Sequence, residues 1–380
     1  MASLRSAIRL TRLRAPQACS ASRRCFATAS VSSEVHGRPQ QAQPDNHVRI
    51  VEVGPRDGLQ NEKKAIPVAT KIELIERLAR TGVTVIEAGS FVSPKWVPQM
   101  DNSSHIMEHV LTRNIPSPSP ITYSFLAPNA RGVADATAIL QKHQGAFLTQ
   151  TDAFKGENGK PMVELAVFAA ATESFSNKNL NCDIATSLDR FRDVIQGAKQ
   201  IGIRARAYIS VVLGCPFEGY DVNPHRVAEI ATSLLEMGAD EISLGDTTGM
   251  GTAPRTQELL RCMTAAGIRN EDIAMHFHDT YGQALVNTAV SLERGIRTFD
   301  SSVGGLGGCP YSPGATGNVS TENMVYFMES LGMNTGIDLD AMADIGQWIT
   351  GELGKPNDSV VGKAVLGARK AAADAARQSG

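Results

Sequence analysis

Hydrophobic and polar positions repeat with two different periods along the chain from His47 onwards. Short runs of β-favouring apolar residues alternate with longer stretches in which apolar residues recur every three or four positions, the spacing of an amphipathic helix. Several of the longer stretches end at a glycine, the residue most common immediately after a helix. The pattern predicts eight strands at 48–53, 83–87, 121–126, 163–169, 205–211, 241–244, 273–278 and 298–303, and helices between them at 68–81, 103–113, 131–143, 184–201, 224–237, 254–266, 283–294 and 321–331.

Eight strand–helix pairs on one chain favour an α/β fold of the (β/α)8 TIM-barrel type with additional C-terminal helices. The alternative is a doubly wound open sheet, which normally has a glycine-rich phosphate turn after its first strand. The corresponding turn here reads GPRDG at 54–58, so the barrel is favoured. A further helix is predicted at 339–353, and 354–380 is expected to be a C-terminal tail with a frayed end. The polar stretch 144–162 joins a helix to a strand, which predicts a surface insertion on the face of the barrel opposite to the catalytic one.

The first 33 residues carry six arginines and no acidic residue, and they are rich in Ser and Ala. This composition is typical of a mitochondrial transit peptide, which we predict at 1–26 with cleavage after Phe26, followed by a disordered linker at 27–46. The alternative is a disordered basic arm that binds nucleic acid. The transit-peptide interpretation predicts a protein of the mitochondrial matrix.

The charge of the remaining chain argues against nucleic acid as a partner. The formal net charge is −2, and without the six N-terminal arginines 31 basic residues face 39 acidic ones. A protein that binds nucleic acid is expected to have the opposite balance. No run of 18 apolar residues suggests a membrane span, and six irregularly spaced cysteines are expected to be reduced thiols.

Two histidines at spacing two are the first candidate for chemistry. His276 and His278 follow an apolar run, and in a strand residues i and i+2 point to the same face. Two convergent imidazoles at a strand end form half of a metal site, although two polar residues on a wet strand face are the alternative. Other reactive side chains occupy the predicted C-terminal strand ends, where barrel enzymes carry their active sites; they are Arg56, Asp57, Glu87, Ser90, Tyr208, Ser243, Asp246 and, after the last strand, Asn318. Oxygen ligands favour Mg²⁺ or Mn²⁺, whereas the imidazoles shift the preference toward Mn²⁺ or Zn²⁺.

A glycine-rich loop at 304–308 leads to Cys309. The loop has neither the lysine of a P-loop nor the order of a dinucleotide-binding turn, so phosphate binding is poorly supported. Its four glycines predict a mobile segment. Cys309 could then be a nucleophile, a general acid or base, or a small buried hydrophobic residue.

Five segments of the chain resemble the 3-hydroxy-3-methylglutaryl-CoA lyases. They are VGPRDGLQNE at 53–62, SFVSPKWVPQM at 90–100, GCPFEG at 214–219, HFHDTYGQ at 276–283 and GGLGGCPY at 304–311. The resemblance extends from about His47 to about Leu353, which implies a pyruvate-carboxyltransferase-like lyase barrel over 47–353. The glycine loop with its cysteine is specific to the lyases, whereas the Arg-Asp and His-x-His elements occur in a wider set of metal-dependent barrels.

The resemblance implies a reaction and roles for the site residues. The reaction is the retro-Claisen cleavage of an acyl-CoA, 3-hydroxy-3-methylglutaryl-CoA, by a homodimer that needs Mg²⁺ or Mn²⁺. The implied metal ligands and catalytic residues are Asp57, His276, His278 and Asn318 for the metal, and Arg56, Asp57, Glu87, Asp246, His278 and Cys309 for catalysis, with Glu322 nearby. The reaction needs a base for the C3 hydroxyl, and this is expected to be Asp57 or His278.

Two other functions fit parts of the pattern. One is a Claisen-type synthase of the same barrel superfamily, which would release free thiol from acetyl-CoA and a 2-oxo acid. Such synthases typically add a long C-terminal domain, and few residues follow Leu353 here. The other is a catalytically silent barrel that acts as a scaffold, which would have no need to keep Arg, Asp, His and Cys together at strand ends.

Overall fold

Eight parallel strands close into a barrel in chain order, which confirms the predicted fold class. The computed structural model describes residues 46–155, 159–308 and 317–378. The predicted transit peptide, most of the predicted linker and Cys309 lie outside these ranges. All eight strands lie within three residues of their predicted bounds; they are β1 (Arg49–Glu52), β2 (Val85–Ser90), β3 (Thr122–Leu126), β4 (Met162–Ala170), β5 (Arg204–Ser210), β6 (Glu241–Asp246), β7 (Ile273–Phe277) and β8 (Thr298–Ser301).

The helices lie outside the barrel, and the amphipathic ones among them bury an apolar stripe. In the first helix the buried stripe includes Leu74, Ile75 and Leu78, which recur at helical spacing. Polar caps fix several helix starts, as where the Asp183 side chain accepts a hydrogen bond from Thr186 N. The helices are α1 (Val68–Ala79), α2 (Ser103–Thr112), α3 (Ala130–Lys142), α4 (Gln150–Phe154), α5 (Glu173–Leu180), α6 (Ile184–Gln200), α7 (Pro224–Glu236), α8 (Ala253–Ala265), α9 (Ala284–Glu293), α10 (Thr321–Ser330), α11 (Leu339–Leu353) and α12 (Val360–Gln378).

The barrel closes where the first strand meets the last. All four residues of β1 pair in parallel with the four residues of β8, from Arg49 opposite Thr298 to Glu52 opposite Ser301. In parallel register the C-terminal ends of all the strands lie at one end of the barrel. Segments that are far apart in the sequence therefore meet there.

Two short helices were not predicted. Helix α5 follows β4 directly, and only Phe175 and Ser176 of its eight residues are buried. Helix α4 lies within the polar stretch 144–162 and starts with a reciprocal cap between Thr149 and Asp152. The stretch joins α3 to β4, which places it at the end of the barrel where strands begin, as predicted for a surface insertion.

The prediction of a frayed C-terminal end is wrong for the residues up to Gln378, because 360–378 form helix α12. The start of α12 is fixed to α10 through Asn323, whose side-chain oxygen accepts hydrogen bonds from Ser359 Oγ at 3.1 Å and Val361 N at 2.9 Å. The segment is rich in alanine, which has the highest intrinsic helix propensity. Across the described residues, no helix has the combination of length and apolar character required to cross a bilayer.

Candidate metal centre and active site

One carboxylate and two imidazoles meet at the C-terminal end of the barrel. Asp57 belongs to a short helical turn, Gly54–Gly58, which follows β1. His276 lies in β7, and His278 lies just beyond its end. One ligand atom from each residue lies within 4.8 Å of the others, and Asp57 Oδ2 is 4.0 Å from His276 Nε2. The meeting of these three residues is as predicted from the sequence, and the cluster can hold a metal ion.

Asn318 completes the cluster on the side of Asp57. Its Nδ2 donates hydrogen bonds to Asp57 Oδ2 at 2.8 Å and to the carbonyl oxygen of Leu306 at 3.1 Å. A β-bridge places it beside His278. Within the described part of the chain, Asn318 Oδ1 and His278 Nδ1 are buried without a hydrogen-bond partner. A buried atom without a hydrogen-bond partner is costly, and coordination of a metal ion would supply the missing partner. These oxygen and nitrogen ligand atoms therefore fit a divalent cation.

The surroundings of Asp57 and His278 favour the protonation states in which these two side chains bind metal. Burial alone would raise the pKa of Asp57, but the Arg56 guanidinium and then the two histidines hold this pKa below its ordinary value. Burial, assisted by the neighbouring His276, lowers the pKa of His278 to about 4. At neutral pH Asp57 is therefore a carboxylate and His278 a neutral imidazole, the forms in which both side chains ligate metals.

Arg56 lies between two carboxylates beside the cluster. Its Nη1 is 2.8 Å from Asp57 Oδ1, and its Nη2 is 2.8 Å from Oε2 of Glu87, which lies in β2. The guanidinium carbon lies 5.6 Å from the ring centre of Tyr208. Burial opposes the charge of Arg56, but the two carboxylates hold its pKa above the ordinary value. The side chain is thus a fixed cation at the edge of the candidate metal site.

Asp246 contacts the cluster through its backbone. Its carbonyl oxygen accepts a hydrogen bond from His278 N at 3.4 Å. Its carboxylate turns away and accepts from Gly251 N at 2.9 Å, while Oδ1 has no hydrogen-bond partner among the described residues. Burial raises the pKa of Asp246 to about 7. The residue is therefore beside the cluster but does not belong to the ligand set.

Glu322 lies behind the site rather than in it. Both of its carboxylate oxygens accept from Gly304 N, at 3.1 Å and 3.0 Å. Burial, and the nearby Glu52 carboxylate, raise the pKa of Glu322 to about 8. The residue therefore supports the first turn of the glycine loop.

The glycine loop at 304–308 is closely packed at Gly304, Gly305 and Gly307, and its mobility stays a prediction. Gly304 and Gly305 have φ of 65° and 67°, and Gly305 N donates to the carbonyl oxygen of Ser302 at 2.9 Å. A Cβ at Gly307 would lie 2.5 Å from Asn318 Nδ2. These glycines are required by a left-handed backbone and by close packing. Cys309 lies outside the described residues.

Two acidic residues near the site were missed in the sequence analysis. Glu52 Oε1 accepts from Gly54 N at 2.8 Å and from Val303 N at 3.0 Å, so it links the turn that carries Asp57 to the glycine loop. Asp300 in β8 is 3.2 Å from His276 Nδ1. Both acids lie within predicted buried strands. An acidic residue is rarely buried without a partner, so its position in such a strand was the feature that could have indicated a role at the site.

A cavity of about 1000 Å³ opens above the cluster. Arg56, Asp57, His276 and His278 line it together with apolar and basic side chains; these include Val92, Trp96, Leu126, Phe168, Phe175, Lys178, Leu180, Arg190 and Phe191. Its volume and mixed lining suit a small-molecule ligand with both apolar and charged parts.

Comparisons with known proteins agree with this geometry. A family model described as HMGL-like matches residues 47–349. The 3-hydroxy-3-isohexenylglutaryl-CoA/hydroxy-methylglutaryl-CoA lyase of Pseudomonas aeruginosa is 49% identical over 319 residues, which are 84% of this chain and 97% of the relative. The mitochondrial hydroxymethylglutaryl-CoA lyase of Gallus gallus is 43% identical over 317 residues, 83% of this chain and 97% of the relative. A crystal structure of hydroxymethylglutaryl-CoA lyase from Pseudomonas aeruginosa, 48% identical, matches with a TM-score of 0.73 and covers 85% of this chain and 98% of that chain.

Proposed function

This chain belongs to the HMGL-like family, and from that membership and the geometry of its site we propose that it is a hydroxymethylglutaryl-CoA lyase. This carbon–carbon lyase cleaves (S)-3-hydroxy-3-methylglutaryl-CoA to acetyl-CoA and acetoacetate, in leucine degradation and ketone-body formation. The observation that carries the proposal is the meeting of Asp57, His276 and His278 within 4.8 Å beside the buried Arg56.

The proposed cofactor is a divalent metal ion, Mg²⁺ or Mn²⁺. Asp57, His276, His278 and Asn318 would hold it, which accounts for the buried Asn318 oxygen that has no hydrogen-bond partner among the described residues. A bound divalent ion supplies Lewis acidity, which lowers the pKa of an alcohol and fixes its orientation.

The bond cleavage needs a base and a site for the released electron pair. Asp57 or His278 takes the proton of the C3 hydroxyl, and both lie at the cavity floor. As the C3 carbonyl forms, the C2–C3 bond breaks and its electrons move onto the thioester as an enolate. Arg56 faces the enolate oxygen and stabilises its negative charge. The ion pair with Glu87 holds the guanidinium in place for that role.

A proton must then reach C2 to complete acetyl-CoA. We assign this step to Cys309, which follows the packed glycine segment that ends at Gly308. Asp246 completes the proposed catalytic set, where its carbonyl oxygen holds the backbone of His278 through a hydrogen bond from His278 N. Closure of the cavity around the substrate would exclude water, so that the thiol protonates the carbanion.

Cleavage of 3-hydroxy-3-methylglutaryl-CoA with and without EDTA tests the proposal. We expect metal-dependent release of acetoacetate, lost in EDTA and restored by Mg²⁺ or Mn²⁺. A protein that releases no acetoacetate with either ion contradicts the lyase assignment. Full activity in EDTA contradicts only the metal requirement.

We also propose that the protein is a homodimer of the mitochondrial matrix. The six arginines of the first 33 residues support the location, and a relative named as mitochondrial is compatible with it. Mass spectrometry of the N-terminus after expression in a eukaryotic host tests the import step. An intact Met1 in organelle material contradicts import, and a monomeric mass in light scattering contradicts the dimer.

A further inference from the structure

Asp300 contacts a proposed metal ligand, His276, and is not among the described residues that line the cavity. It lies in β8, its side chain is fully buried, and Oδ2 is 3.2 Å from His276 Nδ1. The two residues occupy paired positions of β7 and β8, so the contact follows from the strand register. Ser243 Oγ donates to the same carboxylate oxygen at 2.8 Å.

A line of buried charges holds this carboxylate from behind. Arg206 Nη2 donates to Asp300 Oδ1 at 2.6 Å, and Arg206 Nε lies 2.9 Å from Glu241 Oε1. Glu241 also pairs with Arg49 in β1. The side chains of Arg206, Glu241 and Asp300 are at most 3% exposed. Alternating charges therefore run through the barrel interior and end at His276.

The polarity of the contact decides which nitrogen of His276 is free. A carboxylate that pairs with an arginine has only acceptors to offer, so the hydrogen of the Asp300–His276 bond belongs to Nδ1. In a neutral imidazole the other nitrogen, Nε2, then carries a lone pair. This is the nitrogen that lies 4.0 Å from Asp57 Oδ2.

We propose that Asp300 is a positioning residue, which fixes the tautomer and the ring orientation of His276 so that the lone pair of Nε2 faces Asp57. The inference rests on the proposed function in that the ion it prepares for is the metal of the lyase site. Partners of this kind typically change metal affinity by about 10- to 100-fold when they are lost. Asp300 does not need to touch the substrate for this role.

Replacement of the carboxylate by an amide reverses the contact with little change in shape. In Asp300→Asn the amide oxygen pairs with Arg206, and the amide nitrogen then donates to His276 Nδ1. The neutral ring must carry its hydrogen on Nε2, where it blocks metal binding. We expect a loss of Mn²⁺ affinity of about 10- to 100-fold.

Glu164→Gln is the matched control. Glu164 is also a buried carboxylate of the barrel, and its Oε2 lies 3.2 Å from Arg204 Nε, but no contact of Glu164 reaches His276 among those described. The same change from carboxylate to amide should leave Mn²⁺ affinity and the His276 tautomer unchanged. Thermal unfolding of both variants then separates the loss of stability caused by a broken ion pair from the loss of Mn²⁺ affinity.

Two measurements test the inference: nitrogen NMR of the histidine rings in the metal-free protein, followed upward in pH until the His276 ring is neutral, and calorimetric titration with Mn²⁺. We expect an Nδ1–H ring at His276 in the wild type and an Nε2–H ring with weakened binding in Asp300→Asn. An Nε2–H ring at His276 in the wild type overturns the assignment. This outcome does not depend on whether a variant folds. Unchanged Mn²⁺ affinity in Asp300→Asn also overturns it. A wild type with the Nδ1–H ring that binds Mn²⁺ but releases no acetoacetate supports the assignment and contradicts the lyase function instead.

Discussion

Arg56 Nη2 lies 2.8 Å from Glu87 Oε2, and both side chains of this pair are buried. The pair joins the turn after β1 to strand β2, and Glu87 holds the guanidinium that we propose stabilises the enolate. Removal of one partner of a buried pair leaves an unpaired charge and typically costs about 3–5 kcal/mol of stability. Effects on the reaction must therefore be separated from effects on the fold.

Arg56→Gln should reduce kcat by about 100- to 1000-fold, because the enolate oxygen loses its cationic partner. Metal affinity should change little, since Arg56 is not in the ligand set. Steady-state kinetics with saturating Mn²⁺ measures the effect, and Arg204→Gln provides the control, because Arg204 pairs with Glu164 instead. A wild-type kcat in folded Arg56→Gln contradicts the enolate role.

His276→Ala should weaken metal binding, because one of three clustered ligand side chains is lost. The expected sign is a higher Mg²⁺ or Mn²⁺ concentration at half-maximal activity, together with weaker Mn²⁺ binding by calorimetry. His105→Ala removes an exposed histidine of α2 and should leave both quantities unchanged. Equal Mn²⁺ affinity of the His276 variant and the wild type would remove this residue from the metal site.

Cys309→Ala should lower turnover while Mn²⁺ binding stays intact, because the thiol is proposed to deliver a proton and not to bind the ion. Cys182→Ala is the control, since Cys182 lines the cavity and its thiol contacts Arg190, not the metal cluster. Full activity of Cys309→Ala would show that this cysteine has no part in the chemistry.

Glu322 should make the fold less stable as pH rises. Its pKa is raised from 4.5 to about 8 in the folded protein, so the folded state keeps a proton that the unfolded state releases above pH 4.5. The free energy of unfolding should therefore fall between pH 4.5 and about 8 through this group, and the loss is complete above about 8.

Glu322→Gln cannot ionise and should flatten this dependence. The variant should gain stability relative to the wild type as the pH rises, as measured by urea unfolding between about pH 5 and about pH 9. Glu329→Gln, an exposed change on the same helix, should keep the wild-type slope. Parallel pH profiles for the wild type and Glu322→Gln would contradict the buried protonated state.

The fold was predictable because the strands, and the helices other than α4, α5 and α12, each show the spacing of apolar residues that is typical of their type. Helix α5 was missed because its eight residues bury only Phe175 and Ser176, too few for a helical stripe. Its position depends on tertiary contacts, such as the hydrogen bond from Ser174 N to Glu218 Oε1 at 3.1 Å. Helix α12 was missed for a related reason, since Gly362 is its only buried residue within the described range.

The site was predictable where one strand and its end carry two of the proposed ligands. The spacing of His276 and His278 indicates a shared face, and the end of the first strand supplies Asp57. Asp300 could not be assigned from the sequence, because a single acid in a strand has no stated partner until the register with β7 is known. The function of the glycines at 304 and 305 likewise depends on backbone angles that composition does not contain.

The pairing of β1 with β8 also sets the order in which the protein can acquire its cofactor. Asp57 and the two histidines come from opposite ends of the barrel sequence, so they become neighbours only when the first strand joins the last. A chain emerging from the ribosome therefore cannot capture the ion until the eighth strand has been synthesised. Such long-range pairing is a late and slow event in folding. The rate of Mn²⁺ uptake during refolding would therefore report the rate of barrel closure.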